Sequence, residues 1–388
     1  MSTQTTSELR LSNTQASRKL RVLMVTAHFF PAMGGIETHV YEVGRRLVHA
    51  GVDVTLLTTM PQGAHAHFPR ETESEGMKII RVNAWSHTGD LCIAPEVYAV
   101  IKEGAWDLVH CQGIHTIVPP LAMLAAKQAH LPFVVTFHTG GHSSSLRAKV
   151  RCTQWKILRP LLINAEHLIG VSQFEANYFR DLLHLPAQQF SVIPNGAALP
   201  PVPHPPVEAP DRTLIISVGR LERYKGHQHM ITALPKIREQ RPDAQLLILG
   251  AGPYETSLRK LVQKVGVTEQ VEIRAVPAGN RQEMASILSQ ASLVALMSEY
   301  EAHPVAVMEA LALQRPVLGI HTAGLQELAE QGLIRTIPLN STPEEVAAAA
   351  LQQIEKPLIP THLTLPTWDE CMDKLLAVYE SVALKRPL

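Results

Sequence analysis

Short apolar runs alternate with stretches of helical periodicity along almost the whole chain, and in the middle of this alternation stands Leu199-Pro-Pro-Val-Pro-His-Pro-Pro-Val-Glu-Ala-Pro210. Strands buried on both faces read as continuous apolar runs, so the alternation points to parallel sheets with helices packed on either side. The six prolines of the central segment remove ladder donors and favour a stiff extended linker. The chain is thereby cut in two. At 388 residues it also exceeds what one hydrophobic core usually organises. The division expected is a disordered leader over residues 1–18, a first doubly wound domain over 19–198, the linker 199–210, a second doubly wound domain over 211–365 and a terminal amphipathic helix within 366–388.

In the first half, strands are expected at Val22–Ala27, Val52–Thr59, Met77–Val82, Asp107–Cys111, Phe133–Phe137, His167–Val171 and Ser191–Pro194. Helices fit Thr38–Ala50, Leu121–His130, Ser145–Asn164 and Phe174–Leu183. In the second half, strands are expected at Thr213–Val218, Ala244–Leu249, Val271–Val276, Leu293–Met297, Pro316–Ile320 and Thr336–Leu339, with helices between them. Two such sheets leave a cleft at the carboxyl ends of their strands, where folds of this class bind ligands. The loops Met60–Glu75 and Gly140–Val150 of the first domain are expected to set specificity.

Composition narrows the partners. Lys plus Arg and Asp plus Glu are each 35, a balance that argues against a general affinity for nucleic acid, so any basic site is local. Cys92, Cys111, Cys152 and Cys371 form no Cys-x-x-Cys pair and fit a reducing cytoplasm. The apolar run after Lys19-Leu-Arg21 is too short for a signal peptide, and nowhere do about eighteen apolar residues run together. A cytoplasmic protein is expected. Arg147, Lys149, Arg151, Lys156 and Arg159 share one helical stretch with Trp155, and residues 145–160 could rest on the inner face of an anionic membrane, grip a phosphorylated acceptor, or simply pack on their own sheet.

The segment Ser298-Glu-Tyr-Glu-Ala-His-Pro-Val-Ala-Val-Met-Glu-Ala310 puts Glu301 just before an apolar helix and Glu309 about one turn inside it. A helix start carries unpaired N–H groups and partial positive charge, which suit phosphate, while carboxylates accept hydrogen bonds from sugar hydroxyls. A nucleotide sugar has both groups. Upstream, Ser217-Val-Gly-Arg-Leu-Glu-Arg-Tyr-Lys-Gly226 ends a strand and places Arg220 and Lys225 on the turn into the next helix. Either pair alone could be ordinary surface charge; their shared placement after a buried strand favours a site. Gly34-Gly35-Ile36-Glu37 follows the first strand, where glycines let backbone amides approach a phosphate or sugar. His138 ends another strand at the same edge, with His142 as a competing candidate. Leu247-Ile-Leu-Gly-Ala-Gly-Pro253 begins like a dinucleotide fingerprint, but Glu255 stands at the third glycine, which speaks against a dehydrogenase.

With these residues the chain resembles glycosyltransferase family 4, which pairs an Arg-x4-Lys diphosphate clamp with a Glu-x7-Glu element; Arg220 with Lys225 and Glu301 with Glu309 meet both spacings. The resemblance runs from Arg21 onward and implies the GT-B architecture, two Rossmann-like α/β domains facing a cleft, with the terminal helix crossing back to the first domain. It implies a retaining hexosyl transfer from a UDP- or GDP-sugar to a saccharide or lipid-linked acceptor in polysaccharide or glycolipid synthesis. It further implies that Gly34, Gly35 and His303 line the donor site, that His138 lies near the reacting carbon, that Glu301 holds donor-sugar hydroxyls and that Glu309 holds the ribose. Two fixed cations can stabilise a leaving diphosphate without a metal, and no Asp-x-Asp motif occurs, so neither metal nor cofactor is expected. The sequence departs at Ala302-His303-Pro304, where many relatives have Gly-Phe-Gly and where Pro304 offers no N–H. The rival readings are a nucleotide-sugar epimerase or a phosphorylase of the same architecture, the latter needing a lysine-bound pyridoxal phosphate and a longer chain, and a non-catalytic nucleotide-sugar binding protein.

Overall fold

A computed structural model of the protein describes residues 18–31, 34–61, 68–88, 91–139, 145–197, 199–202, 212–277, 280–361 and 363–384. The expected leader, apart from Arg18, and most of the proline-rich linker lie outside the described residues, as does His142.

The first sheet has eight strands in the spatial order Phe190–Val192, His167–Gly170, Phe133–Thr136, Leu108–Gln112, Arg21–Val25, Asp53–Thr59, Met77–Val82 and Glu71–Ser74. The second has six, in the order Val271–Arg274, Gln245–Leu249, Leu214–Val218, Leu293–Leu296, Val317–Ile320 and Arg335–Ile337. The second is parallel throughout, and the first is parallel except at one edge. Central strands such as Val22-Leu-Met-Val25 are fully buried, as sheets with helices on both faces require. Each strand expected from the sequence lies within two residues of its expected bounds.

Three elements differ from expectation. Glu71–Ser74 is an antiparallel edge strand on Met77–Val82, joined to it by the two-residue turn Glu75-Gly76 with φ of 52 and 76. The expected specificity loop Met60–Glu75 therefore ends in sheet, and its last residues sit on the outer edge away from the central strands. A small hairpin, Trp85–Thr88 with Leu91–Ile93, and a short helix, Glu96–Glu103, also intervene before the next parallel strand.

The terminal helix Trp368–Leu384 leaves the second half and packs on the first. Trp368, Cys371, Leu375, Tyr379 and Val382 share a core with Val22, Met24 and Leu47. Gly196 makes this seating close, since a Cβ there would lie 2.3 Å from the Trp368 nitrogen. In the helix Ser145–Leu162, Trp155 is buried against Tyr178 and Phe179, so of the alternatives left open for this stretch its tryptophan follows the one that packs on the protein's own core. Ile157 on the same helix is 71% exposed, beside exposed Lys156 and Arg159. The side chains of residues 145–152 lie outside what is described.

Candidate active site at the cleft between the two sheets

The strand Leu214–Val218 ends at Gly219, and the chain then turns through Arg223–Lys225 into the helix His227–Gln240. His227 fixes this turn. Its ring lies 2.8 Å from the Ser217 hydroxyl and 3.2 Å from the Arg220 carbonyl, and burial pushes it down to about 4, so it is neutral. The turn delivers Lys225 to Glu301: the ammonium donates to Oε1 at 2.6 Å, and the Ser298 hydroxyl donates to the same oxygen at 2.7 Å. Burial alone would lower the Lys225 pKa, but the Glu301 carboxylate more than compensates and lifts it above the ordinary lysine value. The cation is thus held ready.

Arg220 behaves differently. Its side chain is 52% exposed, and its nearest acid is Glu222 at 3.9 Å. Its charge still reaches the first domain, because it opposes the burial that pushes Glu37 up to about 7. Glu37 sits in the first turn of the helix that the glycine pair opens: Gly34 caps Gly35–His49, and a Cβ on Gly34 would sit 2.5 Å from the Glu37 carboxylate. The structure therefore brings Gly34, Gly35, Arg220, Lys225 and Glu301 to one cleft.

Glu309 is the fifth residue of the helix Val305–Ala312 and is buried, its side chain 4% exposed. Burial raises its pKa; Arg281, paired with it from the first turn of the helix Arg281–Ser289, pulls the other way. Pro304 stands at the cap of the Glu309 helix and supplies no amide. His303 gives its carbonyl to the Asn195 amide at 3.4 Å, and its Nδ1 has no hydrogen-bond partner among the described residues.

His138 sits at the carboxyl end of its strand with φ 47, a left-handed conformation that costs a residue with a Cβ about 1 kcal/mol or more. Two contacts hold it. Its Nε2 lies 2.8 Å from Gln112 Oε1, and the next residue, Thr139, gives its amide and hydroxyl to the buried Glu175 carboxylate. Burial and the neighbouring rings of His39, His110 and His115 keep His138 well below its ordinary pKa, so the ring is neutral. His39 lies 4.5 Å away ring to ring and is bonded to Asn195, whose amide reaches His303. The Thr139 hydroxyl meets Tyr300 at 2.9 Å across the cleft, and Glu327 caps the amide of Phe174 at 2.9 Å.

Sequence reasoning did not single out Glu37, His39, Gln112, Asn195, Glu175 or Arg281. Of these, Arg281 carried a local signal: directly after the cap Asn280, a cation at the positive end of a helix is unfavourably placed unless an acid faces it. The fingerprint-like glycines have a packing role. A Cβ on Gly250 would lie 1.9 Å from the Gly219 carbonyl oxygen, and one on Gly252 would lie 2.5 Å from that of Leu221. Among the described residues no three His, Cys, Asp or Glu side chains gather as a metal-ion site, and no helix is long and apolar enough to cross a membrane.

Comparison with known proteins covers both halves of this cleft. Residues 33–199 match the family model described as Glycosyltransferase Family 4, and residues 204–363 match Glycosyl transferases group 1. The chain is 27% identical over 364 residues to a glycogen synthase of Mycobacterium tuberculosis, with 86% of each chain covered. It is 24% identical to a GDP-mannose:cellobiosyl-diphosphopolyprenol alpha-mannosyltransferase of Xanthomonas campestris, over 86% of this chain and 88% of the relative. The fold of Anabaena HepE, solved in complex with UDP-glucose, superposes with a TM-score of 0.70 at 18% identity, covering 94% of this chain and 99% of that one. With each sheet matched by a glycosyltransferase model and the two facing one another across a charged cleft, the chain belongs to glycosyltransferase family 4 and is a hexosyltransferase of GT-B fold.

Proposed function

We propose that the enzyme is a retaining, metal-independent transferase that moves a hexose from a UDP- or GDP-sugar to a saccharide or lipid-linked acceptor in polysaccharide or glycolipid synthesis. The observation that carries this reading is the Lys225–Glu301 pair at 2.6 Å, set just before the Glu309 helix. As the bond from the anomeric carbon to the diphosphate breaks, charge grows on the leaving oxygens, and Lys225 and Arg220 meet it in a cleft where such charges act strongly. Glu301 takes hydroxyls of the donor sugar and Glu309 those of the ribose. Gly34 and Gly35 let the backbone approach the donor from the first domain, with His303 lining the donor site from the second. His138, kept neutral by burial, lies near the reacting carbon. The names of relatives include one GDP-linked donor, and a structural neighbour was solved with a UDP-linked one, which supports the nucleotide-sugar class.

A thermal-shift panel of UDP, GDP and ADP sugars tests the donor. A true donor at a hundred times its Kd adds about 2.7 kcal/mol of stability, and a flat panel overturns the reading. Conversion of the donor to its epimer with no acceptor present favours an epimerase instead. Turnover is expected to survive EDTA, because Arg220 and Lys225 supply the positive charge at the diphosphate. Complete loss on chelation, restored by manganese or magnesium, would refute a metal-independent step.

The same reading includes peripheral contact with an anionic membrane through residues 145–160, supported by the exposed Ile157 between Lys156 and Arg159. Flotation with anionic liposomes is expected to fall when Arg147, Lys149 and Arg151 are all replaced by Ser. Unchanged flotation rules this stretch out as the contact.

A further inference from the structure

Arg281 occupies a position that costs its own helix. It is the first residue of Arg281–Ser289, where the helix dipole presents partial positive charge, so a cation there is repelled rather than stabilised. The local cap is complete without it, because the Asn280 side chain accepts the amide of Glu283. What its guanidinium does instead is reach the neighbouring helix and donate from Nη2 to Glu309 Oε1, with 19% of the arginine side chain and 4% of the glutamate side chain exposed. A buried carboxylate facing a fixed guanidinium is held in one orientation, and with two oxygens it retains acceptor capacity for further donors.

We infer that Arg281 is a positioning residue for the nucleoside end of the donor: by pairing with Glu309 it aims that carboxylate at the two vicinal hydroxyls of the ribose. This rests on the assignment of Glu309 to the ribose under the proposed function. Removing the guanidinium leaves Glu309 free to rotate and easier to protonate in its buried setting, so its acceptor function weakens while the diphosphate end of the site, at Lys225 and Arg220, is left alone. The consequence is specific to the ribose hydroxyls and to donor binding.

The test measures binding of UDP and GDP, each alongside its 2′-deoxy counterpart, to the intact wild-type protein and to Arg281→Met, Arg281→Lys and Glu309→Gln, followed by steady-state kinetics with the donor found. Arg281→Met should lose roughly ten- to a hundredfold in affinity for the ribonucleotide, the range of a charge-assisted hydrogen bond, and much less for the 2′-deoxy form. Arg281→Lys, which keeps the charge without the planar fork, should recover part of the loss. Donor KM should rise with kcat at saturation nearly unchanged. Equal losses for ribo and 2′-deoxy nucleotides in Arg281→Met, with Glu309→Gln still selective for the ribo form, would make Arg281 merely structural and overturn the inference while the Glu309 assignment stands. Glu309→Gln without any ribo-selective loss, or a wild type that binds neither nucleotide, overturns the Glu309 assignment and the inference with it.

Discussion

Lys225→Ala is expected to lower kcat by ~10² to 10³, the range found when a preorganised transition-state donor is removed. The reason lies in how the ammonium is held. Its bond to Glu301 at 2.6 Å fixes its position, and its raised pKa keeps it charged. A group whose folded pKa is raised carries its charge at all pH values below that pKa, so the cation is present throughout the neutral range and is lost only above the ordinary lysine value. On the proposed mechanism the diphosphate then meets charge that needs no reorganisation as the bond stretches. Donor KM should change less than kcat, because the developing charge exists mainly in the transition state. Glu309→Gln should show the opposite split, raising donor KM with modest change in kcat, since the ribose is remote from the breaking bond. Steady-state kinetics of both variants decide the matter, with circular dichroism to exclude unfolding. That control matters because Lys225→Ala leaves the buried Glu301 with the Ser298 hydroxyl but without its cation. Near-wild-type turnover in both variants would sink the site, and a reversed pattern would sink the division of roles.

Part of this site was legible in the sequence because it is local. Arg220 and Lys225 lie on one turn after one strand, and Glu301 and Glu309 bracket one helix start, so spacing alone places each pair. The partners that hold the site in shape come from elsewhere in the chain. His39 bonds to Asn195 from 156 residues away, Thr139 to Tyr300 from 161, and Gln112 to His138 across neighbouring parallel strands. None of these contacts has a periodicity that a sequence can display. Strand positions were legible because continuous apolar runs are what double burial demands, whereas Glu71–Ser74 is polar, half-solvated and visible only through the Glu75-Gly76 turn. Trp155 shows the converse: a tryptophan among cations suggests an interface, but whether it faces lipid or its own core depends on Tyr178 and Phe179.

The backbone that joins the two halves of the charged pair predicts a second large effect. Gly226 follows Lys225 with φ 72, and a Cβ there would lie 1.8 Å from the carbonyl oxygen of Met297. That carbonyl belongs to the segment leading into Ser298 and Glu301, so the absent side chain is what lets the Lys225 turn and the Glu301 loop touch. Gly226→Ala forces both a left-handed alanine, at roughly 1 to 3 kcal/mol, and a backbone clash that only movement of one loop relieves, at roughly another 1 to 3. Gly266 supplies the control. It too has a left-handed φ, 79, at a helix end, but a Cβ there meets nothing within 4 Å. Gly266→Ala should therefore show the strain alone and keep wild-type turnover. Gly226→Ala should melt lower, on the order of 10 °C below wild type, and lose most of its turnover, because relief of the clash moves Lys225 away from Glu301. Melting curves and kcat for the two variants separate the causes, and a Gly226→Ala protein no less stable and no less active than Gly266→Ala would show that the contact with Met297 does not set the site.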